Sequence, residues 1–245
     1  MTVMAQMYIF TQMQDLDKKT PEILNKLASA GYEAIEGMYG NPPHTKAEMK
    51  ASGLKYFAPH LNPKALQPLD QIIKFCKEIG AEDICSSGPA EWTDRTTEDY
   101  KKTSALLNDL GMQLQAEGIH LHYHNHDFEF QSGNEEKMGI DLLLEGLDFD
   151  AVKFCLDVGW IWIAGVDAAK FVKDHAEKIG VVHMRDFKGR QSVALGQGEM
   201  SLDTIVAEVK KLPNLRALAV EQDPSSTPLE DMIASREYLR KRFSL

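Results

Sequence analysis

Short apolar, β-branched or aromatic runs alternate along this chain with longer stretches of helical periodicity. That order is expected of repeated βα units and a parallel sheet. Eight runs read as strands by their C-terminal halves: Tyr8-Ile9-Phe10, Ala34-Ile35-Glu36, Tyr56-Phe57-Ala58-Pro59-His60, Asp83-Ile84-Cys85, Leu121-His122-Tyr123-His124, Phe154-Cys155-Leu156-Asp157, Val181-Val182-His183 and Leu218-Ala219-Val220-Glu221. Between them lie the helical stretches. Thr20-Pro21-Glu22 reads as the start of the first, with Thr20 as cap, Pro21 at the first helical position, and Ile23, Leu24 and Leu27 on one face up to Gly31. Further helices are expected over 96–118, 167–178, from Ser201 through Leu212, and over 229–242. No Gly/Ser linker, low-complexity tract or charge block interrupts the pattern, so residues 1–245 read as one domain.

Inward and outward parity sharpens this picture. Along a barrel strand, alternate side chains face the interior and the surrounding helices. With Val152, Phe154 and Leu156 on the helix side, Asp157 points inward at the end of its strand. The same rule sends His183 and Arg185 inward beside Val182 and Met184, and Glu221 inward beside Leu218 and Val220. In the fifth run, Leu121 and Tyr123 suit the helix side, leaving His122, His124 and His126 inward. Four consecutive strands thus deliver Asp, Glu and His to the C-terminal mouth, where an α/β barrel keeps its active site. Any one of these could be a satisfied polar residue at a strand end. Four in register are harder to explain that way, because converging buried carboxylates repel unless something pairs with them. A divalent cation with oxygen and imidazole ligands resolves the conflict.

Length and composition agree with this fold class, a closed (β/α)₈ TIM barrel; the structural alternative is a doubly wound open sheet. The chain has 245 residues, 43% of them hydrophobic and 26% charged, and about 250 residues is the usual size of a complete barrel. A net charge of −10 and the lack of a basic run argue against nucleic acid, whose recognition rests on Lys and Arg neutralising phosphates. Cys76, Cys85 and Cys155 form no CxxC pair and read as reduced, buried thiols of a cytoplasmic protein. No signal peptide is expected at the start, and no stretch nears the ~20 apolar residues of a membrane span. No Gly-rich loop followed by Lys-Ser/Thr suggests a nucleotide.

Several of these segments resemble one known family. His124-Asn125-His126-Asp127-Phe128-Glu129-Phe130, Leu156-Asp157-Val158-Gly159-Trp160, His183-Met184-Arg185-Asp186 and Val220-Glu221 are similar to the xylose isomerase-like TIM barrel superfamily, in its sugar phosphate isomerase/epimerase branch. Gly196-Gln197-Gly198, Thr20-Pro21-Glu22 and Gly31-Tyr32-Glu33-Ala34-Ile35-Glu36 add to the likeness, which spans nearly the whole chain. The resemblance implies one Mn²⁺, Mg²⁺, Co²⁺ or Zn²⁺ ion held by a carboxylate from strand five, an Asp from six, a His from seven and a Glu from eight. Asp157, His183 and Glu221 match the last three. Strand five departs: His124 or Tyr123 stands where many members carry glutamate, and Glu129 follows at the position of a second family glutamate that contacts substrate. The fourth ligand is therefore Glu129 or His124, and Glu129 is the expectation carried forward.

The implied activity is isomerisation or epimerisation of a sugar or sugar-like ketose through an enediolate. Glu221 and Glu129 would then be the acid–base pair, with His60, His124, His126, Arg185 and Trp160 around the substrate. Read from the residues alone, His60 and Glu36 are equally well hydrogen-bonded strand-end residues, Arg185 an ion-pair partner of Asp186 or Glu221, and Trp160 and Trp162 packing. A second reading from the same superfamily is an inosose dehydratase or 3-keto-sugar lyase, with His124 or His126 as general acid. A third is a non-catalytic sugar-binding barrel. The partner in each case is a small-molecule sugar or cyclitol, with no nucleic acid or membrane, and assembly into a homo-oligomer is left open.

Overall fold

A computed structural model of the chain describes residues 1–91, 95–131 and 136–245. The strands are β1 (Thr2–Gln6), β2 (Ala34–Met38), β3 (Lys55–Leu61), β4 (Asp83–Ser87), β5 (His120–His124), β6 (Val152–Asp157), β7 (Ile179–Met184) and β8 (Ala217–Val220). All pair in parallel in that order, and β8 returns to β1 to close the barrel. Around it run α1 (Leu16–Ala30), α2 (Lys46–Ser52), α3 (Leu69–Ile79), α4 (Thr97–Ala116), α5 (Gly139–Gly146), α6 (Val158–Ile163), α7 (Ala168–Asp174), α8 (Leu202–Val209) and α9 (Pro228–Phe243). A short antiparallel hairpin, Asp186–Lys188 with Gln191–Val193, stands on the loop after β7.

Closure follows from the alternation read in the sequence. The outward set, including Ile35, Leu121, Tyr123, Phe154, Leu156, Val182, Leu218 and Val220, is buried in one continuous cluster with the helices. The inward set, Met4, Ala34, Ala58, Cys85, Cys155, Val181, Ala217 and Ala219, forms a separate small cluster inside the barrel. No helix among the described residues is long and apolar enough to cross a membrane.

Two boundaries differ from expectation. Strand one is Thr2–Gln6, and the more apolar Tyr8-Ile9-Phe10 falls in a 3₁₀ turn. Thr2 to Ala5 already register with 217–220 of β8, so the barrel wall is complete before Tyr8. There the Gln6 side chain accepts from the Tyr8 N–H and turns the chain, while Ile9 and Phe10 bury as core. Helix α1 starts at Leu16 rather than at Thr20, which is inside it and back-bonds to the Leu16 carbonyl at 2.8 Å. Elsewhere the local signals hold: Thr96 caps α4 in a reciprocal box with Asp99, and Ser201 precedes α8.

Candidate active site

The C-terminal ends of β2, β3 and β5 to β8 bring Glu36, His60, His124, Asp157, His183 and Glu221 together, all of them buried. Within this group His124, Asp157, His183 and Glu221 each offer a ligand atom within 4.8 Å of the others. Two imidazoles and two carboxylates around one point suit a borderline divalent ion, and their two negative charges match it. The donor set therefore fits a divalent metal ion.

Local structure fixes each member. Asp157 ends β6 and caps α6: its Oδ1 accepts from the Gly159 and Trp160 N–H groups at 2.8 and 3.0 Å, leaving Oδ2 to the interior. Asn125 clamps the same residue, its side chain bonding the Asp157 N–H at 2.9 Å and carbonyl at 3.3 Å. Gly159 is required by the close approach of the next strand, since a Cβ there would lie 2.6 Å from the Arg185 Cβ. The His183 ring is held at both nitrogens, Nδ1 by Glu221 at 2.5 Å and Nε2 by Glu36 at 2.8 Å. The other oxygen of Glu36 meets His60 Nδ1 at 2.6 Å.

Arg185 spans the carboxylates of the mouth. Nε donates to Asp157 at 2.8 Å, Nη2 to Glu221 at 2.5 Å and Nη1 to Asp223 at 2.7 Å. Its sequence neighbour Asp186 is not the partner. That carboxylate instead accepts from the N–H groups of Phe187, Gly196, Gly198 and Met200, and so pins the loop containing Gly196-Gln197-Gly198. Gly198 is needed there, because a Cβ would fall 2.2 Å from Asp186 Oδ1.

The electrostatics follow from this packing. Burial works against ionisation of Glu221, but the Arg185 and His183 charges outweigh it and hold the carboxyl at about 2. Burial likewise opposes the Glu36 carboxylate, and the charges and hydrogen bonds of His183 and His60 hold it well below the usual range. Around His183 burial disfavours the imidazolium, while Cys155, Glu36 and Glu221 push its pKa up. His124 is the reverse: burial first, then His183, His126, His60 and Arg185, keep it neutral, the form that binds metal.

A row of imidazoles leads outward. The His124 ring lies 4.7 Å from His183, 5.0 Å from His60 and 5.0 Å from His126, centroid to centroid. His126 is only partly buried, unlike the other three, and stacks on Phe128 at 5.0 Å. Burial holds it neutral, at about 3, against the pull of Glu221. Trp160 sits 6.1 Å from His126 and under the Arg185 guanidinium at 5.0 Å. Its buried indole Nε1 has no hydrogen-bond partner among the described residues.

The structure sets Glu129 apart from this assembly. Tyr123 faces the helix layer, and its hydroxyl donates to Glu129 Oε1 at 2.7 Å, while Oε2 accepts from the His126 N–H at 2.7 Å. Its carboxylate thus braces the loop after β5, and His124 is the strand-five residue that stands with Asp157, His183 and Glu221. His122 also points inward, but deeper, against Asp83 at 2.8 Å. Conversely, Asp223, which the sequence does not single out, belongs to the mouth, and so does Glu36, read there only as a hydrogen-bonded strand-end residue. Glu36 was findable: Ile35 outward and Glu36 inward at a strand end is the same parity that marks Asp157.

These features define an eight-stranded α/β barrel with a carboxylate- and imidazole-rich mouth. A family model described as Xylose isomerase-like TIM barrel matches residues 24–242, and the chain belongs to that family. An inosose dehydratase of Clostridium perfringens is 26% identical, over 95% of this chain and 94% of its own. Among solved structures, a sugar phosphate isomerase/epimerase from Parabacteroides distasonis superposes with a TM-score of 0.80 at 22% identity, covering 99% of this chain and 94% of that one. The IOLI protein, solved with a binding zinc atom, superposes at 0.75 with 17% identity and 100% of both chains covered. At such identities the two structures establish a shared fold.

Proposed function

We propose that this protein is a dehydratase of a keto-cyclitol or keto-sugar, removing the proton beside the carbonyl and then expelling a β-hydroxyl as water. The observation that carries the reading is the replacement of a strand-five carboxylate by imidazoles: His124 stands in the ligand group, His126 stands at its rim, and Glu129 is turned away. The inosose dehydratase name of the Clostridium perfringens relative supports the same reading.

His124, Asp157, His183 and Glu221 are the residues that would hold the metal. A divalent ion bound there would act as a Lewis acid on a carbonyl oxygen, and zinc in the IOLI protein makes a transition-series ion the natural choice. The remaining chemistry belongs to side chains. His126, at the rim of the ligand group beside His124, takes the α-proton, and the C–H electron pair moves into an enolate. Arg185, fixed by three carboxylates, presents its remaining N–H groups to the developing oxyanion. As the carbonyl re-forms, the carbon–oxygen bond to the β-hydroxyl breaks, and His126 returns its proton to the departing oxygen. Trp160 supplies an apolar wall beside His126.

An isomerase or epimerase that works from two sides of a carbon needs a second acid–base group opposite the first, the role expected of Glu129. Proton NMR in D₂O with a panel of inososes and ketoses, after loading with Mn²⁺, Co²⁺ or Zn²⁺, separates the two. Loss of water with deuterium incorporation is the expected result. Deuterated isomer or epimer without elimination would replace this reading with the isomerase.

A further inference from the structure

We infer that the barrel holds a second cation site beneath the mouth, built from Cys85, Cys155, Glu36 and His183 and suited to a thiophilic divalent ion. Each of these residues offers one ligand atom within 4.8 Å of the other three, and all four are fully buried. The inference does not rest on the reaction proposed above, though the site shares His183 with the upper group.

The two cysteines arrive there by parity, not by chance proximity. Cys85 on β4 and Cys155 on β6 face inward in a layer otherwise made of Ala34, Ala58, Ala217, Ala219, Val181 and Met4. Barrel interiors are ordinarily filled with bulky branched residues, so small side chains around a thiol pair are a departure. Strand β5 lies between β4 and β6. At about 4.8 Å per strand the two backbones are then separated by roughly 9–10 Å, beyond the ~7 Å that a disulfide spans. The thiols can approach each other but cannot join. A tetrahedral ion with metal–sulfur distances of about 2.3 Å would bridge that gap.

The oxygen and nitrogen donors are already oriented. Glu36 Oε1 is held by His60 at 2.6 Å, while Oε2 lies 2.8 Å from His183 Nε2. The opposite nitrogen, Nδ1, faces Glu221 at 2.5 Å. The imidazole of His183 therefore presents one nitrogen toward each group, oxygen- and nitrogen-rich above, sulfur-containing below. Softness of the ligands separates the two: thiolates favour Zn²⁺ or Cd²⁺ over Mg²⁺ and Mn²⁺. Binding releases the two thiol protons to solvent.

The test is titration of the full chain, stripped of metal and reduced, with Cd²⁺. The readout is the ultraviolet charge-transfer absorbance of cadmium–thiolate bonds. That absorbance should saturate at one equivalent, survive Asp157→Asn, which removes an upper ligand only, and be unchanged by Cys76→Ser on α3. It should disappear in Cys85→Ser/Cys155→Ser, and His60→Gln should weaken it by about 10–100-fold, the usual effect of losing a partner that orients a ligand. Should the double variant fail to fold, each single serine variant must still lower the absorbance. No thiolate absorbance in the unaltered chain, or absorbance that depends on Cys76 instead, overturns the proposal. Loss of turnover in Asp157→Asn with the absorbance intact would bear on the upper site alone.

Discussion

The two ends of this barrel both join histidine, carboxylate and arginine, yet they are balanced differently. At the N-terminal end, Asp83 lies between His122 at 2.8 Å and Arg216, whose Nε and Nη2 reach it at 2.5 and 2.9 Å. One carboxylate meets one guanidinium and an imidazole, so its charge is met in place. At the mouth, Asp157, Glu221 and Asp223 share the single guanidinium of Arg185, and the buried Glu36 meets only imidazoles, those of His60 and His183. That end has more negative charge than its own cations neutralise, even with His183 protonated. Similar residue types therefore make a closed structural lock below and a cation-seeking site above. The lesson is that charge balance, more than residue identity, separates function from support.

The comparison breaks most sharply at His126. His126→Asn should lower turnover by about 10²–10⁴-fold, the usual contribution of a general acid–base group. Stability should fall by only about 1 kcal/mol, the ordinary effect of one substitution, because the ring is partly buried against Phe128. Steady-state kinetics beside a urea melt reads both. A large loss of stability with turnover intact would move His126 to the structural side.

At the other end the expectation reverses. Asp83→Ala should cost about 3 kcal/mol, toward the lower end for breaking a buried pair, since Arg216 can turn to solvent. Metal affinity should be unchanged. Burial raises the Asp83 carboxyl, but hydrogen bonds and charge from His122 and Arg216 overcome it and hold the folded value low. A depressed carboxyl stabilises above its unfolded pKa of about 3.9 and loses that contribution as pH falls through the folded value. Acid melts of Asp83→Asn should therefore lack part of the decline seen in the unaltered protein below about pH 4. Identical acid limbs would show that the lock contributes nothing.

Much of the mouth was legible because period-2 parity survives in β5 to β8, placing Asp157, His183, Arg185 and Glu221 inward from the alternation alone. It fails in two places for identifiable reasons. Against β2, strand β3 slips register between Ile35 and Glu36, so alternation read through Phe57 does not reveal that His60 meets Glu36. In the first strand, Tyr8-Ile9-Phe10 carries the stronger β preference, but pairing with β8 selects Thr2 to Ala5 instead. Asp223 lies beyond the end of β8, where no periodicity exists to place it. Contacts between a loop and a strand were the least readable, and Glu129 is the clearest example.

Glu129 gives the smallest expected effect and the finest discrimination. Burial pushes its carboxyl up to about 8, overcoming the hydrogen bonds from Tyr123 and the His126 N–H. A carboxyl whose folded pKa exceeds its unfolded value of about 4.3 binds more protons folded than unfolded between the two. Its contribution to stability is therefore greatest below about pH 4 and declines as pH rises toward 8. Glu129→Gln removes that titration while keeping the shape, at a cost of about 1 kcal/mol for one mismatched hydrogen bond. The stability of Glu129→Gln relative to the unaltered chain should accordingly improve between pH 5 and pH 8 in urea melts. Turnover should fall by less than about tenfold, and metal affinity should hold, because the carboxylate braces a loop rather than facing the ligand group. The opposite result, a fall of about 10²-fold or more with the pH dependence of stability unchanged, would make Glu129 the second acid–base group. The histidine-based elimination would then give way to a paired-carboxylate isomerase, and the loop after β5 would have to move to bring Glu129 into the mouth.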